Sequence, residues 1–237
     1  MRSSDHTDIY RVLIRKNPKA DKVLFYLTSY AFPWWVYIVP IWRFRKRGYE
    51  VVLYDFDNAI VENDDPTILP NTTLNVVSDM ARRRKDYEAS GIATFHAIGN
   101  GLGSYMVFNY VIRYPLAAIV LNGGGSIADI LFHHVDGSWK RAADAYLQRG
   151  YDQQKLRKLW ADFEDPKLGK KVQADKILIT WSRNDGTIPS DSTVALVAAI
   201  KTSGKKVFTE TDDRSHVLSV IRNSFKVKKL YTFLNSK

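Results

Sequence analysis

"FHAIGNGLGSYMVFNYVIRYP", residues 95–115, changes its pattern at its centre. Phe95 to Ile98 reads as a buried strand, Gly99 to Gly103 as a glycine-rich turn, and the residues after it as an amphipathic helix that stops at Pro115, whose ring cannot continue it. A helix that follows a strand so closely needs a tight elbow, and glycine is the residue that tolerates the backbone angles of such a turn. Gly101 stands at its tip and offers no side chain.

The same alternation repeats on either side. Apolar, β-rich runs occur at Val23–Thr28, Val51–Phe56, Ile92–Ile98, Ala117–Leu121, Ile177–Trp181 and Val207–Thr209, with Tyr10–Ile14 as an edge strand. Helical periodicity separates them near 34–47, 72–90, 103–113, 188–203 and 217–234. Near-continuous apolar strands divided by helices predict an α/β fold with a mostly parallel sheet covered on both faces. From Ile127 to about Gln173 the rhythm breaks into short helical patterns without a convincing strand. Residues 127–173 are therefore expected to form a helical lid inserted into one core made of residues 1–126 and 174–237. A chain of 237 residues, 45% of them hydrophobic, is long enough to bury one such core.

Ligands of parallel α/β sheets sit beyond the carboxyl ends of the strands. Those positions hold Thr28-Ser29-Tyr30-Ala31, Asp55-Phe56-Asp57, Gly99-Asn100-Gly101-Leu102-Gly103, Asn122-Gly123-Gly124, Arg183-Asn184-Asp185 and Asp213-Arg214-Ser215-His216. A glycine elbow, then an Asp, then a His is the order in which the chain resembles the α/β-hydrolase superfamily, where a G-x-S-x-G elbow lifts a serine above the sheet. In "IGNGLGSYMVFNY" Gly99 and Gly103 match the flanking glycines and Gly101 the nucleophile; "ILITWSRNDGTIP" matches the acid-bearing strand end at Asp185, and "TDDRSHVLS" the histidine loop at His216. The likeness covers nearly the whole chain from about residue 20.

The resemblance implies an α/β-hydrolase fold and a serine ester or acyl hydrolase scaffold. His216 would be the general base and Asp185 would fix its tautomer. The Leu102 N–H would face a developing oxyanion, with a second N–H from Tyr30 or Ala31. Trp34 and Trp35, with Tyr37, are expected to wall the substrate pocket beside Asn100, around a small-molecule acyl ester or related ligand. No cofactor and no metal is expected.

One position departs from the pattern, and it closes the chemistry. Glycine at 101 supplies no nucleophile, so the acyl-enzyme route is shut whatever Asp185 and His216 do. Loss of a triad member removes roughly six orders of magnitude from turnover. Ser104 lies one turn into the helix, where it is expected to pack rather than project. Two histories fit: a deliberately replaced nucleophile, or a natural pseudoenzyme that binds without cleaving.

Other stretches bear on other function classes. "VVLYDFDNAIV" resembles the first motif of haloacid-dehalogenase-like phosphatases, which would make Asp55 a nucleophile and Asp57 a general acid, but a strand precedes it. "GNGLGS" lacks the glycine spacing of a dinucleotide site. His133, His134 and Asp136 read as lid packing, since adjacent histidines on a helix point apart. The net charge of +10 is scattered along the sequence in short runs and no nucleic-acid motif accompanies it, so no nucleic-acid partner is expected. "YAFPWWVYIVPIW", residues 30–42, is too short to span a bilayer and is interrupted by Pro33 and Pro40; a helix packed on the sheet is expected, with an interfacial anchor as the alternative. Without an apolar leader in the first residues a cytoplasmic location is expected. The oligomeric state is left open.

Overall fold

The structure, a computed structural model, describes residues 9–29, 32–57, 59–164 and 166–236. Seven strands form one sheet: β1 (Tyr10–Arg15), β2 (Lys22–Leu27), β3 (Tyr49–Phe56), β4 (Thr94–Asn100), β5 (Leu116–Asn122), β6 (Ala174–Ser182) and β7 (Lys206–Asp212). Their spatial order is β1-β3-β2-β4-β5-β6-β7. All neighbours run parallel except β1, which lies antiparallel to β3 at the edge, as its sequence suggested.

The helices are α1 (Ile38–Arg45), α2 (Ala59–Glu62), α3 (Ile68–Ala89), α4 (Leu102–Val111), α5 (Ile127–His133), α6 (Gly137–Gln148), α7 (Gln153–Leu159), α8 (Ala161–Glu164), α9 (Ser190–Lys201), α10 (His216–Phe225) and α11 (Val227–Asn235). Short 3-10 turns at Trp34–Tyr37 and Pro166–Lys171 precede α1 and β6. The central strands need no polar face, because helices cover both sides of the sheet. Leu24 and Tyr26 point with Ile41, Phe44, Leu230 and Leu234 into one core, under α1 and α11. Val23, Phe25 and Leu27 point into the other, with Met80 of α3, Met106 and Tyr110 of α4 and Ile200 of α9. Each such fully buried side chain stabilises the fold by roughly 2 kcal/mol.

The elements differ from the sequence pattern mainly at their ends. β4 runs on through Asn100, because Asn100 still pairs in register with Asn122 of β5. The expected helix over 217–234 is two helices divided at Lys226, which leaves the helical region with ψ of 41°. Between β5 and β6 the described residues form α5 to α8 and a 3-10 turn, with no strand among them. Local capping sets their starts: the Ser126 hydroxyl accepts the Asp129 N–H at α5, and the Asp152 carboxylate accepts the Lys155 N–H at α7.

Candidate functional site

The elbow follows from close packing at three glycines. A Cβ on Gly99 would stand 2.4 Å from the Gly103 carbonyl oxygen, and a Cβ on Gly103 would stand 2.5 Å from the Leu27 carbonyl oxygen. Neither contact is sterically possible, so α4 can approach the ends of β2 and β4 only with glycine at both positions. Gly101 itself has φ of 52° and ψ of −118°, a region that costs other residues on the order of 1–3 kcal/mol.

The fold brings Asp185 and His216 to this tip. Asp185 follows β6 in an Asx-type turn: one carboxylate oxygen accepts the N–H groups of Thr187 and Ile188, at 2.8 and 2.9 Å. The other oxygen lies 2.8 Å from His216 Nδ1. His216 is the first residue of α10, and both side chains are buried. The opposite ring nitrogen, Nε2, is 3.7 Å from the point a Cβ on Gly101 would occupy. With Nδ1–H held by the carboxylate, Nε2 is left as the acceptor that faces the elbow.

Ser29 is the second residue after β2. Its hydroxyl stands 2.8 Å from the same Cβ position and fills the space an elbow side chain would take. Ser29 lines the small pocket above the elbow with Leu102, Tyr105, Ile127, Trp139 and Ile188. The pocket holds about 20 Å³. A larger cavity of about 500 Å³ adjoins it, sharing Tyr105 and Gly125 and lined by Phe108, Phe163 and Leu196.

The other expected site residues divide. Leu102 opens α4, so its N–H lies in the first turn, where no intrahelical acceptor exists. Tyr30 and Ala31 lie outside the described residues. The expected aromatic wall is placed elsewhere. Trp35 is 61% exposed, and Trp34 packs beneath the guanidinium groups of Arg11 and Arg15. The cause is the 3-10 turn with α1, which together turn Tyr37, Ile41 and Phe44 into the core and so turn Trp35 outward. The apolar wall comes instead from the segment after β5, at Ile127, Ile130 and Trp139, and from Ile188. No strand-end rule singles these out.

Asn100 does not line the pocket either. Fully buried, it donates to the Leu27 carbonyl at 3.1 Å and accepts from Asn122 Nδ2 and the Ser224 hydroxyl at 2.8 and 2.9 Å. Thr180 donates to Asn122 Oδ1, and Asn223 donates to Thr180, so the network ties β2, β4, β5, β6 and α10 below the elbow. Ser104 packs as expected, donating to the Gly99 and Asn122 carbonyls.

Glu164 borders the larger cavity and was not singled out in the sequence, where it sits among several acids. Its carboxylate accepts from the Ser126 hydroxyl and from the Ile127 and Ala128 N–H groups at the start of α5. Burial outweighs these bonds and pushes its carboxyl up to about 7.

The phosphatase pair is not assembled. Asp55 accepts from Arg11 Nε at 2.7 Å and from the Thr28 hydroxyl, and Arg11 is its partner across the β1–β3 ladder. Asp57 caps the Ala59 N–H in an exposed turn. Among the described residues no cluster of His, Asp and Glu fits a metal ion. His134 stacks on Trp139 and bonds the Thr187 carbonyl, with its ring tilted edge-on to that of His133.

Solved structures similar to this chain are α/β-hydrolases. The Pyrococcus horikoshii acylaminoacyl peptidase superimposes with a TM-score of 0.63 at 17% identity, over 92% of this chain and 37% of that one. The Pyrococcus furiosus esterase gives 0.61 at 14% identity, over 95% and 89%. A thermostable carboxyl esterase from Bacillus coagulans, in complex with glycerol, gives 0.62 at 12%, over 95% and 94%. The chain spans under two-fifths of the length of the acylaminoacyl peptidases it matches. At such identities the likeness is one of fold, and the fold is that of the α/β-hydrolases. The sequence matches no protein-family model and no curated protein.

Proposed function

We propose that this chain is a serine-ester-hydrolase scaffold whose centre binds a small acyl ester or related ligand without cleaving it. The observation that carries the reading is the pairing of Gly101 with Ser29. A side chain on the elbow would need the Ser29 hydroxyl, 2.8 Å from its Cβ position, to turn aside, while Asp185 and His216 keep their mutual bond. Glycine therefore fits its surroundings. The acyl-enzyme route needs a nucleophile on the elbow, and none is there. The neighbouring cavity, with Phe108, Phe163 and Leu196, suits an apolar acyl arm. Residues 127–173 act as the lid, since Ile127, Ile130 and Trp139 line the small pocket and Phe163 the larger cavity.

A series of p-nitrophenyl acyl esters and a fluorophosphonate probe test the proposal. The chain should neither turn over the esters nor label, yet one acyl length should raise its melting temperature and slow proteolysis within 127–173. Ester turnover that His216→Ala abolishes would overturn the non-catalytic reading. Failure of every ester to stabilise the fold would overturn the acyl-ligand reading.

A further inference from the structure

We propose that α1, α10 and α11 form a docking face for the surface of an anionic lipid bilayer. In the sequence the cations look scattered, but the fold gathers them. Residues 32–48 carry Arg43, Arg45, Lys46 and Arg47, residues 214–236 carry five more from Arg214 to Lys229, and neither stretch holds a single Asp or Glu. Four of these nine cations pair with two acids of β7, Arg214 and Arg222 with Asp212 and Lys226 and Lys229 with Glu210, which leaves the other five to carry the charge of the face. α1 packs against both α10 and α11, so the two stretches share one side of the sheet. Arg43, Phe225, Lys226, Lys228 and Lys229 line one shallow concavity between them. Among the described residues Arg43, Lys46, Arg47 and Lys228 have no carboxylate within ion-pair distance.

Charge alone would suit any polyanion. The apolar component selects lipid. Trp35, Ile38, Val39 and Trp42 follow helical spacing along the outer side of the 3-10 turn and α1, and all four are exposed, Trp42 at 49% with Lys46 over its ring at 3.8 Å. On α10, Leu218 is 57% exposed. The inner side of the 3-10 turn and α1 is already filled by Tyr37, Ile41 and Phe44, so this outer stripe contributes nothing to the core. Tryptophan and aliphatic residues in a basic surround match the interface of an anionic bilayer, where rings enter the headgroup layer and cations meet the phosphates and serine carboxylates. No helix among the described residues is long and apolar enough to cross a membrane, so the contact would be one of surface docking. The inference does not depend on the ligand proposed for the elbow.

Vesicle flotation of the full chain tests it. Binding to phosphatidylcholine vesicles containing about a third phosphatidylserine should exceed binding to phosphatidylcholine alone by roughly tenfold or more and fall at high salt. Tryptophan emission should shift to the blue and be quenched by brominated lipid. Trp35→Ser with Trp42→Ser should abolish the shift and weaken binding, and Arg43→Glu with Lys228→Glu should remove the preference for phosphatidylserine. These side chains are exposed, so melting temperatures should hold, and Leu159→Ser in α7 should change nothing. Equal binding to both vesicles, or binding that the tryptophan changes leave intact, overturns the proposal. So does a dimer in solution that the tryptophan changes disrupt, or binding to a single-stranded oligonucleotide while vesicles stay free.

Discussion

The hydroxyl of Ser29 and the absent side chain of Gly101 compete for one position, with 2.8 Å between the oxygen and the place a Cβ would stand. Gly101→Ser alone should thus meet two penalties, the backbone angles and the Ser29 contact. We expect a loss on the order of 1–3 kcal/mol in unfolding free energy, with weak fluorophosphonate labelling. Adding Ser29→Gly should free the space and raise labelling roughly tenfold or more, because small misplacements of a nucleophile are costly. Equal labelling of the single and double variants would show that Ser29 simply rotates away.

In that double variant, His216→Ala should cut p-nitrophenyl ester turnover by several orders of magnitude, and Asp185→Asn by about 10⁴, since the acid holds the tautomer. Steady-state kinetics decide it. Residual turnover close to that of the parent would remove the pair from the mechanism.

Glu164 makes stability fall with rising pH. Its carboxyl titrates near 7 in the fold against an ordinary 4.5, so the folded state holds a proton that the unfolded chain releases. The stabilisation is complete below 4.5 and is lost as pH climbs through 7. The free energy of unfolding relative to Glu164→Gln should drop over that interval by at most about 3 kcal/mol. Urea melts of both proteins across the range provide the measurement; parallel curves would refute the assignment.

His96 acts at the other end of the scale. Burial, with the charges of Lys22 and Lys176, holds its imidazole down at about 4 against an ordinary 6.5, and Tyr49 OH lies 2.6 Å from its Nδ1. A base with a depressed value stabilises the fold above 6.5, and that contribution is lost as pH falls towards 4. His96→Gln should cost on the order of 1–3 kcal/mol at neutral pH and flatten the acid limb of the stability profile. An unchanged limb would place the acid sensitivity elsewhere.

The sheet, its parallel sense and the edge strand were legible because central strands buried on both faces read as unbroken apolar runs. The sequence could bring Asp185 and His216 forward because they lie three and four residues beyond β6 and β7, and the structure sets them 2.8 Å apart. Ser29 occupies an equally countable position, yet its meaning depends on a distance across the site from Gly101. The pocket wall was illegible for a different reason. The aromatic run from Trp34 to Trp42 has apolar residues on two sides of one helix, and periodicity cannot say which side faces the sheet when both qualify. The network around Asn100 was hidden as well, because its members are spread from Leu27 to Ser224 and bond through side chains that have no common spacing.

The elbow's neighbours are locked in a way that Gly101 is not. Gly99 and Gly103 admit no further carbon, and Asn100 is held by a network reaching four strands and a helix. A side chain at 99 or 103 meets backbone atoms and a change at 100 breaks the buried network, whereas a side chain at 101 meets the strain of a positive φ and a hydroxyl that can turn aside. The frame and the reagent it presents are separately mutable. The group presented at the elbow could change through one codon and the clearing of one hydroxyl, without any rebuilding of the sheet.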